Sequence, residues 1–494
     1  CRTMREWDVL SWRAVAVAVA ALSFLLLFSV AHAGPALDPL LLPRSPLLEA
    51  TLEHHRRLLE EVRNTGRLLQ STGVQEPSRA AAESAFLDAI SALSQPSPGI
   101  PLPDPWPPLG LPANVTEIVQ AAGYPCIDYT VTTPDGFILS IQNIPYGAAG
   151  PSGSKRPVVF LQHGMGGSGV DWTLNGPGES LSFILADAGY DVWIGNNRGT
   201  LNSLNNDPNR SQYFTEDANV TADWNWSWDQ EGMYDLPTQV SFVLQQTGAP
   251  SVAYVGHSQG TSQAFASFIK NSTFAMESIN SFVALAPVAY LANCGSEPLK
   301  LLAELRLDEI LLDVGYLEFW LPLPNVTQVL LPILCYDEPD LCLDVIALWC
   351  GPTQHLNASR AGYYLMYEPS PVSTQDASHY AQEIRDGTFA MYSYGREENR
   401  QHYGSTQPPA YNLTQMPADL PVALFYGGND YLADPTDVQT IISLLPTTPY
   451  THYEPTYAHL DPVLAPNAAE AIYPLVMNFI AEHVPSDRAL KPLP

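Results

Sequence analysis

The pentapeptide Gly256-His257-Ser258-Gln259-Gly260 restricts the fold of this chain more than any other stretch. It follows the apolar run 251–255 and precedes 261–269, whose residues are typical of a helix. A strand, a sharp turn and a helix are the context in which Gly-x-Ser-x-Gly exposes its serine hydroxyl. Both flanking residues must be glycine because a Cβ atom at either position would collide with the strand or the helix. Ser258 is therefore a candidate nucleophile.

Apolar runs alternate with helix-like stretches over most of the chain after residue 114. Continuously apolar strands indicate a parallel sheet that is covered by helices on both faces. Before them, 129–144 is predicted to form a hairpin with Asp135-Gly136 at its turn. The predicted strands that follow are 158–163, 191–196, 251–256, 279–288, 422–427 and 449–453.

A serine hydroxyl is a weak nucleophile that needs a base, and the base needs an acid to orient it. Asp430 lies on a glycine-rich loop after the predicted strand 422–427, and His459 follows the last predicted strand. The order serine, acid, histidine on late strand ends is that of the α/β-hydrolase fold. We assign Ser258 as the nucleophile, His459 as general base and then acid, and Asp430 as the orienting carboxylate.

Each assignment has an alternative. Asp430 could be a loop-forming aspartate next to glycine, and Asp434 and Asp461 are rival carboxylates, although Asp461 is better placed to support its own loop. His459 could be a surface histidine. His257 could be mistaken for the base, but its neighbouring position on the elbow should direct its side chain away from the hydroxyl. The order and the strand-end positions of the three assigned residues favour them together.

Acyl transfer also needs two backbone N–H donors for the oxyanion. Gln259, directly after the nucleophile at the start of a helix, is the first candidate. Met165 is the second, in the segment His163-Gly164-Met165-Gly166-Gly167 at the exit of an early strand, where Gly164 permits a close approach of the main chain. The alternative is that this segment is only a glycine-rich turn.

The chain is acidic, with 51 Asp and Glu against 22 Lys and Arg and a formal net charge of −29. Nucleic acid is excluded as a partner because its binding needs a basic face. The charge favours solubility. We also hypothesise service at low pH, where protonated carboxyl groups would weaken repulsion from an anionic lipid surface.

Residues 1–33 are predicted to be a secretory signal peptide. The chain begins with Cys1, so either the reading frame is incomplete upstream or translation starts at Met4. Basic residues precede the apolar run 14–30, which ends at Ala31-His32-Ala33, a small-residue cleavage site. An uncleaved anchor is the alternative, but the run is short for a bilayer span. Entry into the secretory pathway predicts glycosylation at Asn114, Asn209, Asn219, Asn225, Asn271, Asn325, Asn357 and Asn412.

Cysteine usage excludes a disulfide scaffold. Cys335, Cys342 and Cys350 cluster, whereas Cys126 and Cys294 stand apart. We expect one local disulfide within the cluster and at least one free thiol. The spacing shows no Cys-x-x-Cys pair that would indicate zinc, and we expect neither a metal nor a cofactor.

Changes in composition along the chain predict the boundaries of its other segments. After the signal peptide, 34–113 is an extension with two helix-like stretches and a proline-rich linker, and it could be a propeptide, a packed ornament or a partly disordered segment. The core is predicted in two parts, 114–289 and 416–494. Between them, 290–415 breaks the strand and helix alternation and is rich in leucine, proline and aromatic residues, which predicts an inserted, mainly helical cap.

From about residue 114 to its C-terminus, the sequence resembles the acid lipases, which are the gastric and lysosomal lipases with their plant and fungal relatives. Gln259 after the serine and the run Asp187-Ala-Gly-Tyr-Asp-Val-Trp193 are specific to this resemblance. The other matching stretches are Glu117-Ile118, Gly123-Tyr124-Pro125, Asp135-Gly136, Leu161-Gln-His-Gly164, Gly195-Asn-Asn-Arg-Gly199, Tyr234-Asp-Leu-Pro237, Gly427-Gly-Asn-Asp-Tyr-Leu-Ala-Asp434 and His459-Leu-Asp461.

The resemblance implies an α/β-hydrolase fold with a cap, and hydrolysis of neutral lipid esters at acidic pH at an oil–water or membrane interface. It implies that Ser258, Asp430 and His459 form the triad and that Met165 and Gln259 are the oxyanion donors. It also implies a Cys335–Cys342 disulfide. We expect a monomer that is secreted or lysosomal/vacuolar. Alternatives are a carboxylesterase acting on small soluble esters, acyl transfer to an alcohol, and a non-catalytic binding protein, against which the intact triad argues.

Overall fold

The computed structural model describes residues 114–151, 155–204, 224–313, 315, 317–319, 335 and 339–489. The predicted signal peptide 1–33 and the extension 34–113 lie outside the described residues, and the division of the chain into domains stays a prediction. The described parts of Asp104–Trp320 and Cys342–Pro494 form one compact unit.

A single eight-stranded sheet organises this unit. Its strands are β1 (Ile127–Thr132), β2 (Ile138–Ile144), β3 (Val158–Gln162), β4 (Asp191–Gly195), β5 (Val252–His257), β6 (Ile279–Leu285), β9 (Val422–Gly427) and β10 (Tyr450–Glu454). Their order across the sheet is β1-β2-β4-β3-β5-β6-β9-β10. Strand β2 is antiparallel to both of its neighbours, and every pair from β4 to β10 is parallel. The predicted hairpin is β1 and β2, and the predicted parallel strands correspond to β3, β4, β5, β6, β9 and β10.

Both faces of the sheet are covered, which confirms the prediction drawn from continuously apolar strands. Successive side chains of a strand point to opposite faces. In β3, Val159 and Leu161 belong to one hydrophobic cluster, whereas Val158 and Phe160 belong to another. All five residues of β3 are buried. A polar residue at any position of such a strand would be buried, whichever face it pointed to. This explains why apolar and polar residues do not alternate along these strands in the sequence.

Helices provide the two covering layers. Several have the end signals expected from their sequence: Asn114 and Glu117 form a capping box on the first helix, and the helix before Gly248 ends in a left-handed residue. The helices are α1 (Val115–Ala121), α2 (Leu181–Asp187), α3 (Leu201–Leu204), α4 (Trp228–Gln230), α5 (Leu236–Thr247), α6 (Gln259–Lys270), α7 (Ser272–Ser278), α8 (Glu297–Glu304), α9 (Leu307–Asp313), α10 (Pro339–Cys350), α11 (Ala361–Tyr367), α12 (Thr374–Asp386), α13 (Arg396–Tyr403), α14 (Pro435–Leu444), α15 (Asp461–Leu464), α16 (Ala468–Ala471) and α17 (Tyr473–His483). Within the described parts of the chain, none of the helices has the length and apolar character needed to cross a membrane.

Between β6 and β9, the described residues contain the helices α8 to α13 and the short antiparallel pair β7 (Glu318–Phe319) and β8 (Val372–Ser373). An ion pair connects α9 to α12, because Arg385 donates to buried Asp308 at 2.9 Å. The Ser378 hydroxyl donates to the same carboxylate at 2.8 Å. This interval contains the residues that the sequence assigned to a cap.

Candidate active site

Ser258 occupies the turn between β5 and α6, with a left-handed φ of 52° and ψ of −118°. Such a conformation is strained for a residue with a Cβ atom and recurs at functional turns. Neither flanking glycine has room for a side chain. A Cβ atom on Gly256 would lie 2.7 Å from the Gly260 carbonyl oxygen, and one on Gly260 would lie 2.6 Å from the Gln162 carbonyl oxygen. The turn is therefore the tight elbow that the pentapeptide predicts, and it leaves Ser258 partly exposed.

The structure brings Ser258, His459 and Asp430 together. His459 Nε2 lies 2.7 Å from Ser258 Oγ, and its Nδ1 lies 3.0 Å from each carboxylate oxygen of Asp430. A carboxylate can only accept hydrogen bonds, so Nδ1 carries the proton and Nε2 is free to accept from the serine hydroxyl. His459 and Asp430 are buried. This geometry is that of a nucleophile, a base and an orienting acid.

The rival carboxylates have other partners. Asp434 caps α14 by accepting from the Thr436 backbone N–H at 2.7 Å. Asp461 accepts from the Ala458 N–H and from the Thr353 hydroxyl, both at 2.6 Å, and so supports the loop that carries the histidine. Burial raises the pKa of Asp461 to about 6.

His257 supports the base and does not replace it. Its Nε2 lies 2.8 Å from the backbone carbonyl oxygen of His459. Burial, with a smaller contribution from nearby His459, lowers the pKa of His257 to about 3, so the ring is neutral and donates Nε2–H to that carbonyl. The backbone N–H of His459 is held as well, because it donates to the Cys350 carbonyl oxygen at 3.1 Å.

The segment predicted to supply an oxyanion donor lies against the nucleophile. A Cβ atom on Gly164 would be 2.8 Å from Ser258 Cβ. Met165 follows in a turn that is closed by the Gly167 N–H on the Gly164 carbonyl oxygen at 3.1 Å. Gln259 is the first residue of α6. Within the described residues neither the Met165 N–H nor the Gln259 N–H has a hydrogen-bond acceptor, as expected of donors that face a ligand.

The cysteines of the predicted cluster differ in state. Cys335 and Cys342 are disulfide-bonded, whereas Cys350 is a free thiol, as are Cys126 and Cys294. Burial raises the pKa of the Cys350 thiol, and the nearby Glu368 carboxylate adds to this effect.

Five of the predicted glycosylation sites can be located. Asn114, Asn225, Asn271 and Asn412 are exposed, and Asn357 is partly exposed. Asn209, Asn219 and Asn325 lie outside the described residues.

Sequence reasoning did not assign a role to a group of buried charges near the elbow. Arg198 donates to Asp235 at 2.6 Å and to Asp135 at 2.7 Å, and its guanidinium lies 4.0 Å from the centre of the Phe137 ring. Buried Glu231 accepts hydrogen bonds from the side chains of Gln259 and Asn197. The sequence offered one indication of this group, which is that the motifs shared with acid lipases contain Asp135, Asn197, Arg198 and Asp235. Glu231 lies outside those motifs. Among the residues described, no cluster of three or more His, Cys, Asp or Glu could hold a metal ion.

The sheet order, the elbow and the three converging side chains place the molecule in the class of α/β hydrolases. Two family models match the sequence: a partial alpha/beta-hydrolase lipase region over residues 115–176 and the alpha/beta hydrolase fold over residues 157–317.

Among curated proteins, human gastric triacylglycerol lipase is 37% identical over 75% of this chain and 91% of its own length. Arabidopsis thaliana triacylglycerol lipase 1 is 35% identical over 76% of this chain and 93% of its own length. Lipase lipl-1 of Caenorhabditis elegans is 37% identical over 74% of this chain and 91% of its own length. The chain belongs to the acid lipase family.

Proposed function

We propose that this protein hydrolyses the carboxylic acyl esters of neutral lipids, triacylglycerol or steryl ester, through an acyl-enzyme on Ser258 and at acidic pH. The observation that carries the proposal is the hydrogen-bonded path from Ser258 Oγ through His459 to Asp430, with links of 2.7 and 3.0 Å. The class of ester follows from relatives that are named triacylglycerol lipases.

In the acylation step, His459 Nε2 takes the hydroxyl proton while Ser258 Oγ attacks the ester carbonyl carbon. Asp430 stabilises the imidazolium that forms. The negative charge on the carbonyl oxygen is accepted by the Met165 and Gln259 backbone N–H groups. Collapse of the tetrahedral intermediate expels the alcohol, which receives the proton from His459 Nε2.

Deacylation repeats these roles with water as the nucleophile. His459 takes a proton from water, and the resulting hydroxide attacks the acyl carbonyl carbon. The second tetrahedral intermediate uses the same two N–H donors, and its collapse returns the proton to Ser258 Oγ and releases the fatty acid.

An exposed apolar surface on α8, α9 and the turn between them supports a lipid substrate. Leu301, Leu305, Leu307 and Ile310 are all exposed large hydrophobic residues in this one stretch of the chain. Clustered exposed apolar residues are characteristic of surfaces that bind membranes, lipids or other proteins. We infer that this surface contacts the oil–water or membrane interface during catalysis.

Acidic conditions suit this contact, because the net charge of −29 becomes less negative as carboxyl groups take up protons. We further propose that the protein enters the secretory pathway, is glycosylated and acts as a monomer in a secreted or lysosomal/vacuolar setting. The signal-like segment and the number of sequons support that route.

The test compares wild type, Ser258→Ala and Ser443→Ala from pH 4 to 8, on a trioleoylglycerol emulsion and on soluble p-nitrophenyl butyrate. Ser443 is an exposed serine on α14, so its substitution is a matched control. We expect acid-dependent hydrolysis of the emulsion by wild type and the control. In Ser258→Ala we expect kcat to fall by at least about 10⁴-fold, as with loss of a serine nucleophile elsewhere.

Two results would contradict the proposal. Turnover of p-nitrophenyl butyrate without any turnover of the emulsion would identify a carboxylesterase for small esters. Emulsion hydrolysis that persists in Ser258→Ala would show that another group is the nucleophile.

A further inference from the structure

A buried network of polar side chains connects the two backbone amides assigned to the oxyanion. Gln259 Nε2 donates to Glu231 Oε2 at 2.8 Å, and Asn197 Nδ2 donates to the same oxygen at 2.8 Å. Glu231 and Asn197 are each 1% exposed, and Gln259 is 2% exposed. One carboxyl oxygen therefore holds both side chains, and one of these residues supplies the N–H next to the nucleophile.

The network reaches Met165 through a histidine. The Asn197 backbone N–H donates to His163 Nε2 at 3.1 Å, which leaves Nδ1 of that ring to donate to the Gly164 carbonyl oxygen at 2.8 Å. Burial lowers the pKa of His163 to about 4, so the ring stays neutral above that pH. The Gly164 carbonyl and the Met165 N–H belong to one planar trans peptide and point in opposite directions. Fixing the carbonyl therefore fixes the direction of the donor.

A π-helical turn, Glu231–Asp235, brings the carboxyl group to this place. A Cβ atom on Gly232 would lie 2.8 Å from the Gln263 carbonyl oxygen, so the turn packs directly on the backbone of α6. The close approach puts Glu231 beside Gln259 at the start of that helix. Single π-helical turns are frequent at functional sites because they redirect one side chain.

The cation that faces Glu231 is Arg198, which is already paired with two other carboxylates. The titratable groups that face Glu231 are Asp376 from α12, Asp235 from its own turn, and Arg198, with Tyr254 and Tyr380 nearby. Arg198 already pairs with Asp235 and with Asp135. Burial raises the pKa of Glu231 well above its usual value, and the nearby carboxyl groups of Asp376 and Asp235 raise it further. Burial and these two neighbouring carboxyl groups therefore favour the neutral form of the Glu231 carboxyl group.

Ionisation of Glu231 would oppose the reaction in two ways. A buried carboxylate facing two acidic side chains is costly, so the turn would have to move or admit water. The new negative charge would also lie next to the Gln259 side chain. It would repel the oxyanion that the backbone N–H of the same residue stabilises.

We propose that Glu231 is a positioning residue of the oxyanion hole that acts in its neutral form. It holds Gln259 directly and Met165 through Asn197 and His163, and its ionisation sets the upper pH limit of turnover. This rests on the proposed function, since it needs an ester reaction at Ser258.

The test measures kcat and KM for p-nitrophenyl butyrate from pH 4 to 9, which removes interfacial binding from the readout. Glu231→Gln stays neutral and keeps a carbonyl oxygen for both amide donors. We expect its kcat/KM to match that of wild type at acidic pH. On the alkaline side, the fall of kcat/KM should begin about one pH unit higher, so that kcat/KM there is about tenfold above the wild-type value.

Glu231→Ala removes the acceptor from both amides. We expect its kcat to fall by about 10- to 100-fold at acid pH with little change in KM, less than the loss of one oxyanion donor outright. Glu277→Gln makes the same chemical change as Glu231→Gln on an exposed residue of α7 and should leave the pH profile unchanged.

Ser258→Ala separates the two proposals. If it retains activity, the proposed function itself fails. If it is inactive while Glu231→Gln follows the wild-type profile at every pH, the role of Glu231 is overturned and the proposed function stands. A large loss of kcat in Glu231→Gln at acid pH would also overturn it, because the neutral isostere should suffice.

Discussion

Asparagine in place of Asp430 changes one atom of the site, and the structure determines which way round the new amide must lie. Asp430 Oδ1 accepts hydrogen bonds from the backbone N–H groups of Leu432 and Ala433, both at 2.8 Å. These two donors need an acceptor, so the amide oxygen of Asp430→Asn takes the Oδ1 position. Its NH₂ group then faces His459 Nδ1, which lies 3.0 Å from the other carboxylate oxygen in the wild type.

An amide NH₂ group can only donate, so a proton on His459 Nδ1 would face the hydrogen atoms of that group. The tautomer with the ring proton on Nε2 is therefore favoured, although the amide oxygen at the Oδ1 position also lies 3.0 Å from Nδ1. His459 Nε2 lies 2.7 Å from Ser258 Oγ and in that tautomer can no longer take the serine proton. A wrong tautomer of this kind lowers kcat by about 10³- to 10⁴-fold. At about 1.36 kcal/mol for each factor of ten, the loss corresponds to about 4–5.5 kcal/mol of activation free energy.

The assay is the initial rate on p-nitrophenyl butyrate at several substrate concentrations, with thermal unfolding followed in parallel. We expect kcat of Asp430→Asn to fall and KM to change little, because the tautomer acts on the transition state and not on substrate binding. Asp434→Asn is the matched control, since Asp434 only caps α14 and asparagine caps a helix equally well. A kcat for Asp430→Asn above about a tenth of the wild-type value would refute this reasoning.

Two further substitutions test the packing around the site. Gly164→Ala would put a Cβ atom 2.8 Å from Ser258 Cβ and 3.3 Å from His257 Nδ1, so we expect kcat to fall by about 10²-fold, within the range for a displaced oxyanion donor; an unchanged kcat would contradict this. Arg198→Met leaves the buried Asp235 carboxylate without its partner and should lower the free energy of unfolding at pH 7 by about 3–5 kcal/mol in urea titrations. Burial raises the pKa of Asp235, so the cost of its unpaired charge appears only as pH rises above the unfolded-state pKa. The loss of unfolding free energy in Arg198→Met should therefore be smaller at pH 4.5 than at pH 7. An equal loss at both pH values would refute the charge argument.

Much of the fold could be predicted from short windows of the sequence. The parallel strands, the hairpin around Asp135-Gly136 and the elbow at Ser258 each depend on residues that are close in the chain. Runs of buried apolar residues indicate strands, and glycines on both sides of a serine indicate a turn with no room for Cβ atoms. The structure confirms the α/β-hydrolase fold class that these patterns predict.

Relative order in the chain also identified the three candidate catalytic residues. Asp430 and His459 each follow a late strand, and parallel strands end at the same edge of a sheet, so their loops had to be neighbours of the elbow. Sequence alone left Asp434 and Asp461 as rivals. The choice between them depended on which groups each carboxylate accepts from, and only in the folded chain does His459 Nδ1 lie against Asp430.

The network around Glu231 had no such local signal. Its hydrogen-bond partners Gln259 and Asn197 lie 28 and 34 residues away in the chain. A glutamate after a tryptophan-rich segment is expected to face solvent, because charged residues rarely occupy a fully buried site without a partner. Here a π-helical turn on the backbone of α6 directs the carboxyl group inward instead.

The sequence by itself therefore determined the sheet, the elbow and the order of the catalytic candidates, because each follows from local backbone geometry and burial pattern. Only the tertiary structure decided that His257 holds the His459 carbonyl, that Arg198 pairs with Asp235, and that Glu231 accepts hydrogen bonds from the side chains of Gln259 and Asn197. Hydrogen-bond direction and the pKa of a buried group depend on neighbours brought together from distant segments, and no short window of sequence contains those neighbours.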